Sequence, residues 1–314
     1  MFKKLWHKFR QTNRGIFLLL QWEQLQTEGL RYFVHWNALL LNAWIRQRIN
    51  RRHYRALDES ALLATRKSDT VFLFAPGYSL NDIPASEWDF FQQHDILGFS
   101  GFLYQKWVRV DYYLIRSWVE FREGTVKWRA STLDFAKTLK ENPRFQTTTY
   151  ILQGEYLAQF CNSLIGYKLL SIGSSIYRYW TNRIVDEPTH SLKDGLRHNS
   201  GTLSDVVNFA YCMGWKHIVL VGVDLYDTRY FWLQPDETHS VDEKTGTLVA
   251  SKHSARGQRY DQPHSTVNKG VIDMMGQWHS LFKQNGVHMS VYNPKSLLAQ
   301  VMPTYSKNKD IKSG

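Results

Sequence analysis

Arg197-His198-Asn199-Ser200-Gly201, the run Thr202–Met213, and His217-Ile218-Val219-Leu220-Val221-Gly222-Val223-Asp224-Leu225-Tyr226 form the stretch whose reading decides the fold. The run from Thr202 puts Leu203, Val206, Val207, Ala210 and Tyr211 on one face at helical spacing, and Gly214 stops it. Residues 217–223 are an apolar run of strand length, the pattern of a strand buried on both faces of a parallel sheet. Polar groups therefore gather where a helix starts and where a strand ends. Those are the two places where α/β proteins bind ligands.

Working outward, Val71-Phe72-Leu73-Phe74 reads as another buried strand, leading into Ala75-Pro76-Gly77-Tyr78-Ser79-Leu80. Gly77 lets backbone come close to a phosphate or ribose, and Ser79 can donate a hydrogen bond. An ordinary strand-to-loop turn accounts for the same residues. Residues 95–99 and 112–116 predict two further strands, ending at the polar Ser100 and Arg116. Residues 120–140 predict a helix, and 287–292 a last strand followed by Asn293-Pro294. The alternation predicts a Rossmann-like, doubly wound, mostly parallel α/β sheet over residues 67–305. Two stretches, about 150–195 and 227–263, are expected to form a small lid. The second is long and rich in charge, Gly and His. Residues 306–314 are expected to be a disordered tail.

The chain has 314 residues, 43% of them apolar and 15% aromatic, enough to bury a large core. Its two cysteines, Cys161 and Cys212, make no disulfide framework or zinc cluster and suit a reducing cytosol. Charge is uneven. Residues 1–55 hold eleven Lys/Arg against Glu23 and Glu28, which is nine of the net eleven positive charges. The body is near neutral, which argues against a nucleic-acid groove across it.

Residues 1–66 read as a helical extension. Leu18, Trp22 and Leu25, then Phe33, Trp36, Leu40 and Trp44, recur at helical spacing beside Arg and Lys. That composition suits helices lying in the headgroups of an anionic membrane. A hairpin packed on the core, or on a second copy in a homo-oligomer, is the other reading. No apolar run approaches the ~20 residues needed to span a bilayer. No signal peptide is expected. The expected location is cytoplasmic, peripheral at the inner face of the cytoplasmic membrane.

At this point the body resembles the bacterial sialyltransferases of glycosyltransferase family 42, over roughly residues 71–299. Ala75-Pro76-Gly77-Tyr78-Ser79-Leu80 is similar to that family's nucleotide loop. Arg197-His198-Asn199-Ser200-Gly201 resembles its R-x-T-S-G turn, and Gly222-Val223-Asp224-Leu225-Tyr226 its G-I-D-F-Y strand end. His264-Ser265 and Tyr292-Asn293-Pro294-Lys295-Ser296-Leu297-Leu298-Ala299 resemble its G-H-S and C-P-N-S-L-L-A segments. The departures are Ala75 and Pro76 in the nucleotide loop, and Ser100 and Arg116 where the family has donor-binding asparagines.

The resemblance implies a Rossmann-like, GT-A-like fold. It also implies transfer of a CMP-activated 2-ulosonic acid, of sialic or 3-deoxy-octulosonic type, to a glycan or glycolipid such as lipopolysaccharide, lipooligosaccharide or capsule. His264 would be the base, with Tyr226 and Tyr230 stabilising the leaving phosphate and Arg197 supporting. Gly77, Ser79, Ser100, Arg116, Asn199, Ser200, Gly201, Asp224, Asn293 and Ser296 would hold the donor. No D-x-D motif is present, so no metal and no cofactor besides the donor substrate is expected. The alternative is a Mg-ATP-dependent, pyrophosphokinase-like phosphotransferase of related fold, with Asp224 holding Mg²⁺.

Overall fold

A computed structural model describes residues 13–117, 130–182, 187–199, 201–233, 238–241, 248–251, 263–264 and 266–307. The chain enters as α1 (Asn13–Asn50), broken at Gly29, whose φ of 81° no helix tolerates. Across that break the Asn37 amide donates to Gln21 Oε1 at 2.5 Å. Straight helix would hold residues sixteen apart about 24 Å from each other, so α1 is a hairpin of two arms. Its second arm meets the body, where Trp36 and Leu40 are buried against Tyr156 and Leu157. Asn50 Nδ2 also donates to the Gly166 carbonyl at 2.8 Å.

There follow β1 (Arg55–Ala56), α2 (Glu59–Leu63), β2 (Thr70–Phe74), α3 (Ala85–Phe91), β3 (Asp95–Phe99) and β4 (Tyr112–Ile115). Next come α4 (Ala130–Glu141), β5 (Thr149–Gln153), α5 (Gln159–Gly166), β6 (Ser175–Tyr179), β7 (Thr181–Asn182) and β8 (Leu196–Arg197). The last group is α6 (Thr202–Met213), β9 (His217–Val221), β10 (Thr238–Val241), β11 (Leu248–Ser251), α7 (Val271–Gln284) and β12 (His288–Val291). Eight of the strands form one sheet in the order β1-β6-β5-β4-β3-β2-β9-β12. Every neighbouring pair in it is parallel. This is the Rossmann-like α/β architecture that the alternation predicts.

Alternation along β2 builds both faces. Val71 and Leu73 enter a core shared with Val206 and Phe209 of α6 and Met275 and Trp278 of α7. Phe72 and Phe74 enter a second core with Phe91 of α3, Leu139 of α4 and Phe160 of α5. A strand covered on both sides must be apolar at every position, which is why it reads as an unbroken run. At the opposite end of the sheet, the buried Asp95 accepts from the Lys67 and Ser68 N–H groups and from Trp215 Nε1. That pins the loop before β2 to the start of β3.

One expectation is corrected. Residues 150–195 were expected to form part of a lid, but they supply β5 and β6, two full strands of the main sheet, and α5 between them. The extension is not wholly separate either, since β1 pairs with β6. Of the expected helix at 120–140, the described part is α4. Lys307 lies against the body, with Nζ 2.6 Å from Glu87 Oε1, and residues 308–314 fall outside the described residues. Among the described residues, no helix is long and apolar enough to cross a membrane.

Candidate active site at the β2–β9 switch point

After laying down the short edge strand β1, the chain enters the middle of its sheet at β2. It walks outward through β3, β4, β5 and β6, which lands beside β1, then returns to add β9 on the other side of β2. The loops leaving β2 and β9 therefore diverge at their carboxyl ends, and the gap between them is the expected ligand crevice of an open α/β sheet. A cleft of about 270 Å³ lies there. Its walls come from residues 75–77 after β2, Phe99 and Ser100 at the end of β3, and residues 222–225 after β9. Gly201, Thr202 and Leu203 at the start of α6 close it, with Asp227, Arg229, Tyr230, His264, Thr266 and Val271.

Gly77 is required by close approach. A Cβ there would sit 2.3 Å from the Gly222 carbonyl oxygen and 2.5 Å from Asp224 Oδ2. The two loops are laced together. Gly77 N–H donates to Gly222 O at 2.9 Å, and Ser79 donates through both N–H and Oγ to Asp224. Asn293 Nδ2 reaches the same carboxylate at 3.0 Å. Asp224 is buried and its oxygens are taken up by these donors, which makes it a tie between three loops.

His264 arrives from far along the chain because its N–H donates to Leu225 O at 2.7 Å. Its Nδ1 accepts from Thr266 N–H at 3.3 Å and lies 2.9 Å from Thr266 Oγ1. A backbone N–H can only donate, so the neutral ring carries its proton on Nε2. Burial, then the charge of Lys269, lowers the His264 pKa, which favours that neutral form. His264 thus offers the cleft a donor.

The start of α6 adds two more donors. Its N-cap is Gly201, at φ 130°, with no side-chain cap. Asn199, expected to hold the donor, donates its own N–H to Ser204 Oγ at 2.8 Å. The N–H groups of Thr202 and Leu203 are among those that a helix start leaves without internal partners. Arg229 supplies a cation, held by a bidentate pair with Asp227 and lying 4.0 Å over the Tyr78 ring. Ser100 and Leu225, both on the cleft, have φ of 55° and 62°. Strained non-glycine residues of this kind cluster at functional sites.

Of the residues expected from sequence, Gly77, Ser100, Gly201, Asp224, Tyr230 and His264 line the cleft together. Ser79 and Asn293 bind Asp224, and Ser296 Oγ donates to the Val223 carbonyl at 2.6 Å, so these three brace its floor. Tyr226 is half-buried and its hydroxyl accepts from Asn293 at 3.3 Å. Burial, then the nearby Asp224 charge, raises its pKa. Tyr230 bridges to Gly77, and burial raises its pKa too. Its ring tilts against Trp232 at 4.7 Å. Arg197 is buried on β8, where its N–H donates to Asn208 Oδ1 at 2.7 Å. Ser200 lies outside the described residues.

Arg116 joins a group that sequence reasoning missed. Its Nη1 is 3.1 Å from Asp205 Oδ1, and Asp205 Oδ2 is 2.6 Å from His198 Nδ1. Arg229, Thr202 and Thr266 were also missed. A His and an Asp on either side of a glycine helix start were the available signal. Among the described residues no group of three or more His, Cys, Asp or Glu side chains is placed to hold a metal ion. Burial pushes both free thiols, Cys161 and Cys212, up to about 12, which leaves them unsuited to nucleophilic work at neutral pH. The sequence matches no known protein-family model and no curated protein.

Proposed function

We propose that this protein is a glycosyltransferase whose cleft takes a CMP-activated 2-ulosonic acid and whose acceptor is a surface glycan or glycolipid. The observation that carries the reading is the convergence on one switch-point cleft of three kinds of positive or donating group. These are the uncapped start of α6, the Nε2–H of His264 and the guanidinium of Arg229. Such a set suits a phosphate that gains charge as it leaves, and donors aimed at developing charge are commonly the largest catalytic term. The motif resemblance supports CMP as the nucleotide and an acidic sugar as its cargo. Tyr230, on the cleft wall, is the phenol best situated to assist the phosphate, with Tyr226 backing the Asn293 brace.

The N-terminal hairpin supports work at a membrane surface. Leu30, Val34, Leu41, Ile45 and Ile49 are exposed at near-helical spacing on its second arm, and Leu18 and Trp22 on its first. Arg46 and Arg48 lie beside them, followed by Arg51, Arg52 and Arg55. Apolar side chains flanked by arginines bind anionic headgroups. Glycans on lipid carriers are extended at the inner face of the membrane, so the hairpin and the cleft serve one task.

The test is CMP release from CMP-sialic acid and CMP-3-deoxy-octulosonic acid, with and without EDTA, in the presence of glycolipid acceptors. CMP release that survives EDTA is expected. No turnover of any CMP sugar, or turnover that EDTA abolishes, overturns the reading. Stabilisation by Mg-ATP without stabilisation by CMP would point to the phosphotransferase instead.

A further inference from the structure

Resting on the transferase reading, we infer that His198, held by Asp205, is the base that takes the proton of the acceptor hydroxyl, and that His264 acts as a donor. The geometry separates the two rings. Asp205 is fully buried in the first turn of α6 and its Oδ2 lies 2.6 Å from His198 Nδ1. A carboxylate only accepts, so Nδ1 carries the proton and the Nε2 lone pair is left free. The charge that builds on the ring when Nε2 takes a proton is met by Asp205, the arrangement that recurs wherever a carboxylate steadies a basic imidazole. Arg116, 3.1 Å from the other carboxylate oxygen, offsets the cost of burying Asp205. In His264 the polarity is reversed, because Thr266 N–H occupies Nδ1.

The placement suits the division of labour. His198 and Asp205 flank Gly201, Thr202 and Leu203, which line the cleft. Arg116 follows β4 as Ser100 follows β3, and those strands are neighbours. The dyad therefore sits at the same carboxyl edge of the sheet, on the β4 side, next to residues that line the cleft rather than in that lining itself. The His198 side chain is 24% exposed, open to an incoming group, while Asp205 is wholly enclosed.

In the step, the acceptor oxygen bonds to the anomeric carbon of the ulosonic acid as its proton passes to His198 Nε2. The bond from that carbon to the phosphate oxygen breaks, its electron pair leaves with CMP, and Nε2–H of His264 hydrogen-bonds the departing phosphate. His198 later returns its proton to water.

The experiment uses the full chain labelled with ¹⁵N-histidine, together with CMP-release kinetics. Long-range ¹H–¹⁵N spectra are expected to show His198 protonated at Nδ1 and His264 at Nε2. Asp205→Asn is expected to move the His198 proton to Nε2 and lower kcat by about 10⁴-fold, with KM and CMP affinity little changed. His198→Gln is expected to lower kcat by at least about 10²-fold, and it keeps the test available if Asp205→Asn does not fold. A wild-type His198 protonated at Nε2, or a His198→Gln enzyme within threefold of wild-type kcat, overturns the dyad and leaves the transferase reading standing. A wild type that turns over no CMP sugar overturns both.

Discussion

The backbone N–H and the hydroxyl of Ser79 both donate to the carboxylate of Asp224, across 145 residues of chain. Asp224 lies beyond the end of β9 and Ser79 beyond the end of β2, so this contact holds the two lips of the cleft at a fixed separation. Ser79→Ala is expected to cost about 1.5–3 kcal/mol, the range for a buried hydrogen bond to a charged partner. Asp224→Ala should cost more, because it strands the Ser79 N–H and the Asn293 amide together. Denaturant unfolding midpoints measure both. A Ser79→Ala change under about 0.5 kcal/mol would show that the lips are held by something else.

Gly77→Ala tests the close approach of the same loops. Its Cβ would press on backbone, the Gly222 carbonyl, rather than on a side chain that can swing away. A loss of about 1–3 kcal/mol is expected, as for overpacking elsewhere. CMP affinity should weaken with it, as read by calorimetry. Unchanged stability and affinity would refute the tight-lip picture.

Acid should destabilise the fold through two partly buried imidazoles. Burial, then Lys269, lowers the pKa of His264, and burial, then Lys283, lowers that of His279. The unfolded chain binds protons at these sites near the ordinary value of about 6.5, and the folded chain only below it. The stability they contribute is therefore present above about pH 6.5 and is lost as pH falls through the lower folded values. Melting temperature measured from pH 7.5 to 5 is expected to drop, and His264→Asn should flatten part of that slope. An identical slope in the variant would remove His264 from the account.

Vesicle binding tests the hairpin. The protein is expected to co-sediment with vesicles containing phosphatidylglycerol, and more weakly with pure phosphatidylcholine. Raising salt to about 1 M should weaken the electrostatic part, since screening then acts within about 3 Å. Replacing Leu30, Val34, Ile45 and Ile49 by Ser removes exposed apolar groups and is expected to abolish binding without lowering the melting temperature. Association of the wild type into dimers that these changes dissolve, with no vesicle binding, would assign the face to a second copy.

The buried strands were legible to the residue in places. Strand β3 spans Asp95–Phe99, the range the sequence predicts, because a core strand is an apolar run bounded by polar ends. The strands β5 and β6 were not legible. Gln153 closes one and Arg178 lies inside the other, so neither shows clean alternation or an unbroken run. Their polar side chains are accommodated by partners from elsewhere, as Arg178 Nη2 is by Asn162 Oδ1 at 2.7 Å. Six of the expected site residues meet in the cleft because loops at strand ends and helix starts share one sheet edge. Arg116 was expected at the donor and pairs with Asp205 instead, since a strand end alone does not say which helix will cover it.

By itself the sequence determined the parallel α/β class, the helical extension and the edge of the sheet at which the cleft lies. Periodicity and apolar runs report local burial, and burial of alternating strands and helices leaves few topologies. Only the tertiary structure decided which polar groups meet. Ser79 with Asp224, Asn293 with Asp224, and His198 with Asp205 and Arg116 depend on sheet order and on the direction of each side chain. Those are properties of contacts made across 7 to 145 residues, and no local pattern in the chain encodes them.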